Sequence, residues 1–199
     1  MSIRIFKVTS GLIASFLLLV FSVDASAQRR DFLTEAEVEI VRDAQDIDTR
    51  IDVLLRMADR RFNVLGIDVK GWKDAAKTSD VWGELPKGSR TDLFNDIKRI
   101  VQKAVDDIDN LSSNPDAAPI REKGDKRTSK DHERFPKAVR NLAAGANRYL
   151  GPLKAELDRS TNEADRGLII STLDLCEQII EAVKKLPAGV KPETKKEKN

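Results

Sequence analysis

Few residues in this chain could do chemistry, and their spacing excludes most reactions. His132 is the only histidine among 199 residues and lies in a polar approach to a helical stretch. A lone imidazole argues against a His-rich zinc site and against a Ser-His-Asp triad. Glu-x-x-His does not occur, so the di-iron carboxylate arrangement is excluded. Cys-x-x-Cys-His is missing too, which removes covalent haem attachment. A b-type haem between Met57 and His132 has nothing beyond the ligand types to support it, and Met57 falls beside an apolar stripe where methionine is ordinary filler. No glycine-rich phosphate loop is present. Neighbouring acids recur, as at Asp46 and Asp48 or Asp106, Asp107 and Asp109. On charge-rich helices such acids read as a solvated face, and no acid is marked as buried, as a glycosidase-like pair requires. We therefore expect no catalytic residues, no metal site and no cofactor.

Trp72, Trp82 and Cys176 remain. Both tryptophans fall in 67–90, an irregular segment with Gly71, Gly83, Pro86 and Gly88. They either plug one end of a helical core or form a partner or ligand patch, since tryptophan is enriched in binding hot spots. Cys176, the only cysteine, permits no intramolecular disulfide. It shares a helical face with Ile169, Leu173, Ile180 and Val183 and reads as a buried, inert thiol.

Four helical stretches must position these residues. Thr34-Glu35-Ala36-Glu37 is a capping box, staple positions Leu33 and Val38 flank it, and Val38, Val41, Ala44, Ile47, Ile51, Leu54, Ala58, Phe62 and Leu65 continue as one stripe. The spacing predicts one long first helix over 34–65, roughly 48 Å at 1.5 Å per residue, with Gly66 as its stop. Its early acids and its late Arg60 and Arg61 complement the helix dipole. A second helix is predicted over 91–111, capped by Ser89 or Thr91, and a third over 133–157. Gly151-Pro152 interrupts the third, so a kink or short break is expected. The last helix, 161–186, opens on a second capping box, Ser160 to Glu163. It has the widest apolar surface and is expected to be the most buried. The 112–130 segment is polar, mixed in charge and reads as a flexible linker. Residues 188–199 form a Lys-rich disordered tail. The fold class is all-α, an antiparallel four-helix bundle with a long first helix and a kinked third.

The chain opens with Arg4 and Lys7, then an apolar run over 11–23, then Ala25-Ser26-Ala27. This is the pattern of a signal peptide over 1–27 with cleavage after Ala27. The run is too short for a spanning helix, so no stable membrane anchor is expected after cleavage, and the 28–187 domain is expected in the periplasm or outside the cell. The whole chain has 35 basic and 33 acidic side chains. Loss of Arg4, Lys7 and Asp24 leaves 33 against 32, and the end from Lys184 holds six Lys and two Glu. The remaining body is slightly acidic, which argues against nucleic acid as a partner.

Leu33 to Glu37 through Val41 to Gln45, then Asp48-x-Arg50-Ile51 and Ala58-x-Arg60-Arg61, resembles the start of an uncharacterised exported all-helical bacterial protein family. Trp82 to Pro86 and the Pro152 interruption are similar to that set as well. The resemblance implies a bacterial source and a helical fold, and carries no activity and no site residues. The expected function is a structural or protein-interaction module of the cell envelope, binding another envelope protein or itself. The alternative is a binding or chaperone-like bundle holding an apolar ligand, gated by the Gly151-Pro152 break and the tryptophan loop. A further expectation is that Lys184–Lys198 binds anionic surfaces in a salt-dependent way.

Overall fold

Thr34 starts the first helix through the expected reciprocal bonds. Its Oγ1 accepts from the Glu37 amide at 3.3 Å, and the Glu37 carboxylate accepts from the Thr34 amide at 3.0 Å. The computed structural model describes residues 30–70, 79–114 and 131–186. The 1–27 segment read as a signal peptide, Trp72, most of the 112–130 segment read as a linker and the 188–199 segment read as a tail lie outside the described residues. Among the described residues every regular element is helical: α1 Glu35–Asp43, α2 Ile47–Val64, the single turn α3 Ser79–Trp82, α4 Arg90–Ser113, α5 Asp131–Arg159 and α6 Glu163–Val183.

The long first helix is corrected to two. It breaks at Ala44–Asp46, although nothing there resists a helix. Ala44 turns to φ −77°, ψ 77°. Its carbonyl, which a continuous helix would bond to the Asp48 amide, accepts instead from Arg50 Nε at 2.8 Å. Asp46 sits at the start of α2 and pairs with Arg134 of α5 at 3.0 Å. At its far end α2 stops as predicted. Gly66 takes φ 72°, its amide donates to Asn63 O, and the Ile67 amide donates to Phe62 O. This is the Schellman pattern, and its left-handed residue is a glycine.

Ser89 caps α4 in a capping box with Asp92. The helix runs slightly past its predicted 91–111 limits. Of the kink or short break expected in the third helix, the break does not occur, because α5 is continuous across Pro152. Proline forfeits one helical bond, costing about 3 kcal/mol. Tyr149 and Leu153 lie on either side of that bond and are both completely buried, so packing helps the helix continue through the defect. At the start of α6 the cap is Asn162, whose Oδ1 accepts from the Ala164 and Asp165 amides. Ser160 is not the cap; its amide still closes the end of α5 on Glu156 O.

The helices pack as α2 against α4 and α5, and α6 against the same two, with α4 and α5 meeting only marginally. The predicted stripes supply the core: Ile51, Leu54 and Phe62 from α2, Phe94 and Ile97 from α4, Leu142 and Leu153 from α5, Ile169 and Cys176 from α6. Gly145 of α5 sits where α2 comes closest. A Cβ there would lie 2.3 Å from Leu55 Cδ2. The expectation that α6 is the most buried helix is corrected. That place belongs to α2, with eleven buried residues against six in α6. Leu168, Leu175 and Val183 of α6 are only half-buried, and Ile170 is exposed.

Candidate functional site

Two places stand out, a groove on the half-covered side of α6 and a charged hub inside α2. The groove lies between α4, α5 and α6 and encloses about 400 Å³. Val105 and Ile108 of α4, Val139 and Leu142 of α5, and Leu175 and Ile179 of α6 form its walls. Gln102, Asp109 and Gln178 bring polar groups to it. Apolar walls with a few convergent polar groups are the usual makeup of a binding site, and the volume lies within the range such sites occupy.

The hub arises because α2 is covered on all sides near its end. Met57 to Phe62 are six consecutive buried residues. Successive side chains point about 100° apart around a helix, so Asp59 reaches α5 whereas Arg60 and Arg61 reach α1 from two directions. Arg60 Nη1 donates to Glu37 at 2.7 Å, and its Nη2 donates to the carbonyls of Gly83 and Glu84 at 3.3 and 2.7 Å. Arg61 grips the same Glu37 with both terminal nitrogens, at 2.5 and 2.6 Å, and also donates to Phe32 O. Its Nε lies 3.7 Å from Asp96 of α4. Glu37, Arg60, Arg61 and Asp96 are all at most 2 % exposed. Two cations and two anions balance in charge, which is what permits their burial.

Asp59 faces α5. Tyr149 donates its hydroxyl to Asp59 at 2.7 Å, and Arg148 Nη2 approaches at 3.3 Å. Burial pushes the Asp59 carboxyl above its ordinary range, outweighing the Tyr149 hydrogen bond and the Arg148 charge. Burial also drives the Tyr149 hydroxyl well up, with the Asp59 charge adding to it. Beside Asp59 a second cavity of about 240 Å³ is bordered by Asn63 and by Gly66 to Lys70.

Trp82 ends α3 and is 6 % exposed, with its ring 5.5 Å from the Arg60 guanidinium carbon. It belongs to the hub, on the side where Gly83 presses against Ala36 of α1. Trp72 lies outside the described residues. Cys176 is fully buried. Burial, then the Glu177 charge, pushes its thiol up to about 12, so it is not an activated nucleophile. Met57 is buried core. Asp46 and Asp48 do not form a solvated face. Arg134 bonds to both, and Lys137 donates to Asp48 at 2.8 Å, tying α2 to α5. Burial opposes the Asp48 charge, yet Lys137 and Arg134 together outweigh it and hold that carboxyl below its usual range.

Sequence reasoning missed the hub because Glu37, Arg60 and Arg61 stand among many other charges. One signal was available. Arg61 lies three residues after Ala58 and seven after Leu54, which places a charge on the apolar stripe itself. Among the described residues no group of three or more His, Cys, Asp or Glu could hold a metal ion, and no helix is long and apolar enough to cross a membrane. In comparisons with protein families, with characterised proteins and with solved structures, the chain matches none.

Proposed function

We propose that this chain is an exported module of the cell envelope that works by binding, not by turnover. Its four long helices close as an antiparallel bundle, with the α4–α5–α6 groove as the docking face. The observation that carries this reading is the groove itself. It is a recess of about 400 Å³ lined by both apolar and polar side chains, on a helix whose apolar side is left half covered. Among the described residues, the buried charges Glu37, Asp48, Asp59, Arg60, Arg61 and Asp96 are committed to ties between helices. The 1–27 segment is read as the export signal and 28–187 as the working domain.

Native mass spectrometry of the protein purified from its own envelope fraction tests this. The wild-type chain should start at Gln28 and carry added mass that leaves on denaturation. Leu175→Glu, which places a charge in the groove at a half-buried position, should lose it. A wild-type mass equal to the bare chain in every preparation would refute the reading. A second reading follows from the groove's volume, which also suits a single apolar small molecule held between helices. Released mass in the range of a lipid or small metabolite, and not of a polypeptide, would select it.

A further inference from the structure

We infer that α1 is an exchangeable element, able to leave its own Arg60–Arg61 pocket and supply Glu37 to the same pocket in a second copy of this chain. The inference rests on the α1 hinge and the buried ion pairs, and is independent of the α4–α5–α6 groove.

The pocket and its occupant are carried by different elements. Arg60 and Arg61 belong to α2 and are held within the body, whereas the carboxylate arrives on α1. Beyond Glu37, Val41 of α1 is buried, Ile40 packs half-buried against the core and Val38 is exposed, and Phe32 and Leu33 just before the helix pack there too.

The hinge shows a conflict between local and global preference. Ala44, Gln45 and Asp46 include no glycine or proline. The apolar spacing of Val41, Ala44, Ile47 and Ile51 runs through them without a gap, as one continuous helix requires. Such a helix from Glu35 to Val64 would be about 45 Å long and would hold Glu37 about 35 Å from Arg60. One chain therefore cannot have both the straight helix and the buried ion pairs. Two copies can. In each, α1 and α2 join, the Ala44 carbonyl regains its helical donor, and each Glu37 enters the other copy's pocket. The exchange is reciprocal, so the contact closes on itself as a two-fold dimer and does not propagate. Local sequence preference that contradicts the folded geometry is the condition under which two packings of one chain compete.

Charge reversal in trans tests the exchange on the full mature chain. Glu37→Arg alone, and Arg60→Glu with Arg61→Glu alone, each set like charges together both within a chain and between identical chains. Mixed and co-refolded, the two variants restore opposite charges at both pockets only by exchanging α1. Native mass spectrometry should then show the mixed dimer as the dominant dimer, while each variant alone stays monomeric. The wild type should dimerise with concentration. Gln45→Gly, which disfavours the straight hinge twice per dimer, should weaken that dimer by on the order of tenfold or more and leave the folded monomer intact. This last variant retains the native ion pairs, so it decides the matter even if the reversed variants fail to fold. A mixture giving only monomers, a wild type monomeric at every concentration, or a dimer indifferent to Gln45→Gly would each overturn the exchange. Leu175→Glu should leave it unchanged, which separates it from the groove.

Discussion

Glu37→Gln should be among the most damaging isosteric changes in the protein, for a reason that can be isolated. Glutamine at the third helical position still completes a capping box with Thr34, so the start of α1 keeps its local bonds. What changes is the charge. Arg60 and Arg61 donate three hydrogen bonds to the two Glu37 oxygens while 1 % exposed. A glutamine offers one acceptor oxygen and turns an amide donor toward guanidinium donors. Asp96 remains to face two buried cations. Removing one member of a buried ion set costs about 3–5 kcal/mol, and α1 can lift away to admit water, so the lower end, about 3 kcal/mol, is expected. At about 2–4 °C per kcal/mol for a domain of this size, the melting point should fall by roughly 6–12 °C. Urea unfolding followed by helical circular dichroism measures the loss. Arg61→Met in the Glu37→Gln background should recover part of it by removing the excess charge. A loss below about 1 kcal/mol, or no coupling between the two substitutions, would refute the claim that the hub is held by charge and not by packing.

Three further outcomes follow. Asp48 has a folded pKa below its unfolded value, so its contribution is present above the unfolded value and disappears as the pH falls through the folded one. Asp48→Asn should cost about 2 kcal/mol at pH 7 and nothing once both forms are protonated, as read from urea midpoints at neutral and strongly acid pH. Gly145→Val should cost about 1–3 kcal/mol by overpacking against Leu55, and Leu55→Ala in the same chain should return part of that in a thermal melt. Cys176 should resist thiol reagents in the native protein and react only at the rate of unfolding, since it is buried and its thiol is pushed up to about 12; fast native labelling would contradict the packing described.

Much of the helical layout was legible because it rests on short-range chemistry. The Thr34 and Ser89 caps, the Gly66 stop and the apolar stripes of α2, α4 and α5 are decided by residues a few positions apart. The misjudged features depend on distant partners. The break at Ala44–Asp46 has no local cause and is held by Arg50, by Arg134 and by the pull of the Arg60–Arg61 pair on Glu37. Pro152 was read as an interruption because its local cost is visible, whereas the burial of Tyr149 and Leu153 that offsets it is not. Asn162 displaced Ser160 as a cap through a choice between residues two positions apart and of similar capping strength. The groove was not legible at all. Its walls look like any core stripe, and most of them are buried; only the packing of α4, α5 and α6 leaves a recess over them.

The run Asp59, Arg60, Arg61 has a consequence for which changes in length this chain can tolerate. An apolar stripe alone would accept small rotations of α2, because one aliphatic side chain can replace another at a contact. Three adjacent charges, tied between them to α1, α4 and α5, cannot be so exchanged. Deleting or inserting one residue between Ile47 and Met57 would turn the start of α2 by about 100° against its end. Either the Asp48 ties to α5 or the three later charges would then face the wrong partners, and a buried charge without its partner is costly. The interior of α2 should therefore admit substitution far more readily than any change of length, while insertions should collect in the connections on either side of it.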